Sequence, residues 1–382
     1  MRPMPRPITI AVDLRALVPE ATGIGVYTRN LLLALAALGR AGGERELRYV
    51  GFCHRPPRGA GELETAGIPI EVQPAPLGVL WQQLQLPRRL ARGDVDLFWS
   101  PLMTLPLASR VPAVVTIHDL TVLLYPETHN AKVRLSLLPF LERSLEKARR
   151  VVAVSQATAD DLAFHFPACT PRVRVVYEGV DPSFAPGSTE EVAAIRRELG
   201  TPDGYILYIG TLEPRKNVDL LLSAWEALRE EDPETPPLLL AGGAGWHSRR
   251  LLARLAALAE AHRGAVRYLG RVDADRLVRL FQGARAFAYP SLYEGFGLPP
   301  LEALACGVPT VVSNTSSLPE VVGDAALTVD PHAAAPLAAA LRQILEPARA
   351  AELSRRGPRR AAGFRWETAA REMAQVFAEA LD

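Results

Sequence analysis

Two glutamates eight positions apart, Glu294 and Glu302, bracket the densest group of chemistry-bearing residues in the sequence. Between them run Gly295, Phe296, Gly297, Leu298, Pro299, Pro300 and Leu301. A carboxylate accepts two hydrogen bonds at once, which matches a sugar diol. Gly295 and Gly297 let the backbone approach a ligand closely. Pro299 and Pro300 are tolerated in the first turn of a helix, so a helix is expected to open there with N–H groups suited to a phosphate. Glu294 is then expected on the loop and Glu302 in the first helical turn. Taken singly, Glu302 could complement the helix dipole and Glu294 could be a solvated loop residue. The pair, with two glycines and two prolines between, favours ligand binding.

A second group is Gly210-Thr-Leu-Glu-Pro-Arg-Lys-Asn217. It follows an apolar run at 205–209 and precedes an amphipathic stretch at 218–225, with Asn217 expected as the N-cap. Arg215 and Lys216 then stand at the carboxyl end of a strand. A cation within 4 Å of a phosphate oxygen is worth about 4 kcal/mol at an effective dielectric near 20. A solvated basic turn is the plain alternative; anion binding is the favoured one.

Other features carry less. Thr22-Gly-Ile-Gly-Val-Tyr-Thr28 has Thr28 where a dinucleotide fingerprint needs its third glycine, and residues 41–43 lack the acidic partner of the ribose. It reads as a loop that brings backbone N–H groups near an anion. His118 follows an apolar run at 113–117 and could hydrogen-bond a sugar hydroxyl or move a proton, although lone histidines are usually structural. Asp94 and Asp96 have the spacing of a metal-holding pair but precede a strand, the wrong end for a site, and read as a strand-start turn. None of the seven histidines has metal-ligand spacing. Arg88, Arg89 and Arg92, with Lys147, Arg149 and Arg150, could dock an anionic bilayer or a lipid-linked acceptor; solvated helix faces are the favoured reading.

The elements that must position these residues follow a βα rhythm. Apolar runs occur at 8–12, 48–52, 96–100, 113–117 and 151–155, and again at 205–209, 237–241, 266–270, 286–290, 309–313 and 326–330. Near-continuous apolar runs suit parallel strands buried on both faces. Amphipathic stretches such as 27–38 and 134–148 lie between them. A segment rich in Pro, Gly and Ser at 180–191 marks a linker, and 366–381 reads as one helix. The fold class is therefore α/β, two doubly wound parallel-sheet domains, with ligands expected at the carboxyl ends of strands facing each other across a cleft.

Composition bounds the class. The chain has 382 residues, 43 basic and 42 acidic, for a net charge of +1. Such a balance gives no global field for nucleic acid, so any bound anion needs local groups. Hydrophobic residues make up 48% of the chain, enough for a core and too many for disorder. Cys53, Cys169 and Cys306 form no CxxC pair, which fits a reducing compartment. Neither a signal peptide nor a membrane-spanning run is visible, so a cytoplasmic location is expected, with docking at the inner membrane face left open.

SLYEGFGLPPLEALACGVPTV, with GTLEPRKN upstream and SSLPEVVGDAALTVDP downstream, resembles the retaining glycosyltransferases of family 4. TGIGVYTRNLLLAL, VTIHDLTVLLYPE, VVAVSQATADDL, VVYEGVD and FRWETAA extend the likeness over most of the chain. The combination of GTLEPRKN, HDL and YPE is most similar to bacterial mannosyltransferases that build surface glycans.

The resemblance implies a GT-B fold: an acceptor-binding domain over 1–180, completed by the helix 366–382, and a nucleotide-sugar-binding domain over 181–365. It implies that Glu302 binds the donor ribose, and Glu294 the transferred sugar near its anomeric carbon. The backbone of Phe296, Gly297 and Leu298 would contact sugar and phosphate. Lys216 would stabilise the leaving diphosphate, with Gly25 opposite it, His118 would touch the sugar, and Val272 would meet the base through its main chain. Many relatives carry Gly-Arg where this chain has Gly210-Thr211, and Arg215 is the candidate replacement for that missing cation.

The implied reaction is transfer of a hexose, mannose from GDP-mannose, to a hydroxyl of a glycan or lipid-linked acceptor, with no cofactor and no metal. Retention comes from the resemblance and not from spacing. Three other classes stay open: a nucleotide-sugar epimerase or phosphorylase on the same fold, a dinucleotide-dependent oxidoreductase, and, last, a non-catalytic partner protein.

Overall fold

The computed structural model describes residues 6–18, 23–40, 47–128, 131–246 and 248–382. Thr22, at the start of the glycine-bearing segment, and residues 41–43, where the acidic ribose partner is missing, lie outside the described residues.

The chain divides into two compact units. The first contains residues up to Leu124, then Ala131–Gly179 and Arg365–Asp382; the second contains Val180–Phe364 together with a short segment beginning at Tyr125.

The first unit is built on seven strands: β1 (Ile8–Asp13), β2 (Leu47–Cys53), β3 (Ile70–Val72), β4 (Leu97–Ser100), β5 (Ala113–Ile117), β6 (Arg150–Ala153) and β7 (Val173–Val175). Their order is β3-β2-β1-β4-β5-β6-β7, and every pairing is parallel. All five residues of β5 are buried, as parallel strands covered on both faces require. Phe52, Trp81, Phe98, Ile117 and Leu141 are among the side chains of the core that covers this sheet.

The helix Trp366–Leu381 completes this unit. It buries Trp366, Ala369, Ala370, Met373, Val376, Phe377 and Ala380, a stripe at helical spacing. Phe377 meets Trp99 at 5.8 Å between ring centroids, and Trp366 meets Tyr27 at 6.1 Å. Gly179 lies against the start of this helix so closely that a Cβ there would run into the backbone of Trp366.

The second unit is built on β8 (Ile206–Ile209), β9 (Leu238–Ala241), β10 (Val266–Tyr268), β11 (Ala286–Tyr289), β12 (Thr310–Ser313) and β13 (Leu327–Val329). Their order, β10-β9-β8-β11-β12-β13, is again parallel throughout and reverses direction between β8 and β11. Ligands in such sheets collect outside the carboxyl ends of the strands at that reversal.

All eleven apolar runs form strands whose ends lie within two residues of the expected ones. The three-residue edge strands β3 and β7 have no counterpart in the expectation; both are only partly buried, so their sequences lack a continuous apolar run. The stretch expected to loop around Gly23 and Gly25 is instead the first turn of the helix Gly23–Arg40. Among the described residues, no helix is long and apolar enough to cross a membrane.

Candidate functional site

Lys216, Arg215 and Glu294 come together at the reversal point of the second sheet. Pro214–Lys216 forms a single 3-10 turn after β8, and residues 290–297 form the loop after β11. Asn217 has φ 57°, a left-handed conformation. It holds the N-cap position of the helix Val218–Glu231, but its side chain makes no cap bond. Its amide instead donates to the carbonyls of Pro290 (3.1 Å) and Pro331 (2.7 Å), tying the β8 loop to those after β11 and β13. That corrects the capping role expected for Asn217.

Lys216 Nζ donates to Glu294 Oε1 at 2.7 Å, to Oε2 at 2.9 Å and to the Tyr289 hydroxyl at 2.9 Å. An ammonium has three donors, so these contacts use all of them. Arg215 donates to Glu294 Oε2 (3.1 Å), to Glu213 Oε1 (2.8 Å) and to the Tyr293 carbonyl (2.5 Å). Two cations therefore face two carboxylates, and the cluster is charge-balanced.

Burial acts on each member. It would raise the Glu294 carboxyl, but the Lys216 and Arg215 charges outweigh it and hold that group at about 2. Burial lowers the Lys216 ammonium, and the neighbouring Arg215 pushes it the same way. Burial also raises the Tyr289 hydroxyl, reinforced by the Glu294 charge, so the phenol stays protonated.

The Glu294 loop is fixed from a third side. Its N–H donates to Ser316 Oγ (2.9 Å), and Ser317 Oγ donates to the carbonyls of Glu294 (3.0 Å) and Phe296 (2.7 Å). Thr315 donates to the Leu292 carbonyl (3.0 Å). Ser316 has φ 52° and Gly297 has φ 115°, so left-handed backbone flanks the carboxylate on both sides. Such conformations persist only where the surroundings enforce them, and they cluster at functional sites.

The helix Leu298–Ala305 opens on Pro299 and Pro300. Of its first three residues only Leu298 has an N–H, and Leu301 already donates to the Gly297 carbonyl. Anion binding at this end thus falls on the amides of Gly297 and Leu298. Glu302 lies in the second turn rather than the first, buried at 9% exposure. Val272 lies in the loop after β10, ahead of the helix capped by Asp273.

In the first unit, His118 follows β5 and is 8% exposed. Its Nε2 is 3.0 Å from the Pro101 carbonyl, which can only accept, so that nitrogen carries a hydrogen. Its Nδ1 faces Glu178 Oε1 at 3.4 Å, and the Tyr27 ring stands edge-on at 4.7 Å. Burial raises the Glu178 carboxyl, with His118 opposing. Gly25, in the first turn of the helix Gly23–Arg40, belongs to the same unit.

Sequence reasoning did not single out Glu213, Tyr289, Ser316, Ser317 or Glu178. Glu213 and Glu178 were within motifs already quoted, each the acidic residue beside the more conspicuous groups. The basic cluster reads differently in the structure: Arg89 is buried, bonded to Glu71 (2.7 Å) and Asp94 (2.7 Å), over the Phe52 ring. Lys147 donates to the Ser109 carbonyl, and Arg150 pairs with Glu379 at 2.8 Å. These three are fold contacts, not solvated faces. Asp96 accepts from Arg6 and from the Thr9 N–H at the start of β1.

Residues 21–184 match the family model described as Glycosyltransferase Family 4, and residues 192–360 the model described as Glycosyl transferases group 1. The O-antigen chain mannosyltransferase B of Escherichia coli is 38% identical over 261 residues, 67% of each chain. The serotype-specific mannosyltransferase WbdA of Escherichia coli is 34% identical over 189 residues, which span 49% of this chain and 23% of that protein. A crystal structure of Anabaena HepE in complex with UDP and glucose superposes with a TM-score of 0.76 at 21% identity, covering 97% of this chain and 99% of that one. The fold is GT-B, two Rossmann-like parallel-sheet domains. With both halves matched and a relative at this identity over two thirds of its length, the chain belongs to glycosyltransferase family 4 and is a glycosyltransferase.

Proposed function

We propose that the chain transfers mannose from GDP-mannose, with retention of configuration, to a hydroxyl of a glycan or lipid-linked acceptor. The observation that carries the site assignment is the Lys216–Glu294–Arg215 cluster at the β8/β11 reversal. The sugar is carried by the mannosyltransferase relatives.

The barrier is rupture of the anomeric C–O bond, which leaves positive charge on the sugar ring and negative charge on the departing diphosphate. Preorganised donors aimed at that charge are the largest catalytic contribution in reactions of this kind. Lys216, Arg215 and the amides of Gly297 and Leu298 supply them here. Glu294 accepts from sugar hydroxyls and keeps both cations aligned before the donor arrives. Glu302 takes the ribose diol, the main chain at Val272 and Phe296 contacts base and sugar, and Gly25 and His118 keep the phosphate and sugar contacts that the family resemblance implies. No metal or cofactor enters this reading.

Turnover of GDP-mannose, UDP-glucose and UDP-N-acetylglucosamine with a mannan acceptor, followed by NMR of the new anomeric proton, tests it. Turnover confined to GDP-mannose, giving an α-linked product, is expected. An inverted product, conversion of the donor without acceptor, or a strict EDTA-sensitive metal requirement overturns it.

A further inference from the structure

At the amino ends of β8, β9 and β10 lies an open basic cavity of about 430 Å3, lined by Thr201, Arg229, Pro237, His262, Arg263 and Arg267 among others. Ile206, Leu238 and Val266 are register partners in the sheet, so the three strands start level beneath it. Lys216 and Glu294 follow the carboxyl ends of β8 and β11. One strand of four residues, about 13 Å at 3.3 Å per residue, separates the two ends. The donor chemistry described above therefore leaves this cavity unexplained.

Among the described residues, no carboxylate lines it. Three arginines line it, and Arg263 is both exposed and held at φ 51°. The plain explanation is that they complement helix ends, since Val218–Glu231 and Arg249–Ala261 both finish here. Two helix carboxyl ends contribute about −0.5 charge each, against +3 from the arginines, which leaves about +2. Arg229 Nη1 is committed to the Thr235 carbonyl at 2.6 Å. Arg267 is not committed: its Nε is buried with no hydrogen-bond partner among the described residues. A buried donor without a partner is costly, and burial lowers the Arg267 guanidinium. The His262 ring is fixed edge-on to Trp225 at 5.1 Å.

We propose that this cavity is a second anion site, built for the dianionic phosphate of a phosphomonoester, with Arg229, Arg263 and Arg267 as its cations. The residual charge matches that group, and the volume falls within the range of small-ligand pockets, about 300–1,000 Å3, leaving room for the sugar or glycerol that carries the phosphate. Such a phosphate comes from a free sugar phosphate or from a lipid headgroup.

Thermal unfolding in inorganic phosphate or glucose 1-phosphate, against chloride at matched ionic strength, tests the soluble source. Flotation with phosphatidylcholine vesicles, with and without phosphatidic acid, tests the lipid source. The expected result is a rise in Tm of about 2–4 °C in wild type and in Lys216→Ala, absent in Arg267→Gln and in Arg263→Glu. Binding only to vesicles with phosphatidic acid, abolished by the same two substitutions, supports the site and assigns it to a headgroup. Arg263 is exposed, so Arg263→Glu keeps the test open should Arg267→Gln unfold. A rise that survives in both arginine variants, or that disappears in Lys216→Ala instead, overturns the proposal, as does a null result in both arms.

Discussion

Lys216 Nζ lies 2.7 and 2.9 Å from the two carboxylate oxygens of Glu294, although 78 residues separate them in sequence. Neither group is spare. In the proposed reading a donor diphosphate reaches Lys216 only by sharing it with Glu294, so binding and release rearrange an ion pair rather than fill an empty cationic slot. A balanced cluster also avoids the cost of burying two like charges before the donor arrives.

Lys216→Ala removes the cation that in this reading meets the leaving diphosphate. Turnover is expected to fall by about 10²–10³, the usual cost of losing one such donor. Arg215 still pairs with Glu294, so the variant keeps its circular dichroism spectrum. A purified, folded variant losing only two-fold in kcat rules out the assignment.

Acid should weaken the second unit through Glu294. Its folded value, about 2, lies below the unfolded value of 4.5, so the unfolded chain binds more protons between the two. The stabilisation is complete above 4.5 and is lost as pH falls towards 2. Glu294→Gln costs about 3 kcal/mol at neutral pH and flattens that acid limb. Denaturant unfolding across this window measures both; an unchanged acid limb contradicts the ion pair.

Gly297→Ala puts a side chain at φ 115°, where its Cβ would meet Leu318 Cδ2 at 2.9 Å. Strain of this kind costs about 1–3 kcal/mol, and here it displaces the Gly297 and Leu298 amides. The expected outcome is a lower Tm together with a raised KM for the donor. A KM equal to wild type separates that loop from donor binding.

Glu178→Gln tests whether His118 depends on its buried neighbour. Burial raises the Glu178 carboxyl above its unfolded value, so the carboxylate destabilises the fold as pH rises through that window. At pH 8 the variant should equal or exceed wild type in Tm. It should also lower kcat, because Nδ1 of His118 then faces a neutral amide in place of a carboxylate. An unchanged kcat leaves Glu178 with a packing role only.

Most of this architecture was legible because parallel strands buried on both faces advertise themselves, as ITIAV, AVVTI and YILYI do. The strands at β3 and β7 were not, since edge strands three residues long need no apolar run. Lys216, Arg215, Glu294 and Gly297 stood out by type and spacing. Their pairing did not, because contacts across 78 residues are set by sheet order, and sheet order is not local. Arg89 shows the converse: beside Arg88 and Arg92 it looks solvated until Glu71 and Asp94 are brought against it. Ser316 and Ser317 resemble ordinary turn residues, and only the fold shows that they hold the Glu294 loop.

The helix Trp366–Leu381 follows the whole second unit in sequence yet belongs to the core of the first. During synthesis, Trp99 waits about 280 residues for Phe377, and Tyr27 waits about 340 for Trp366. Val180–Phe364 has all its strands in one continuous stretch and can close earlier. A chain released just after residue 364 would thus hold a complete second unit tethered to a first unit that lacks its last helix. Nascent chains truncated there should be cut by protease within the first 179 residues long before the remainder.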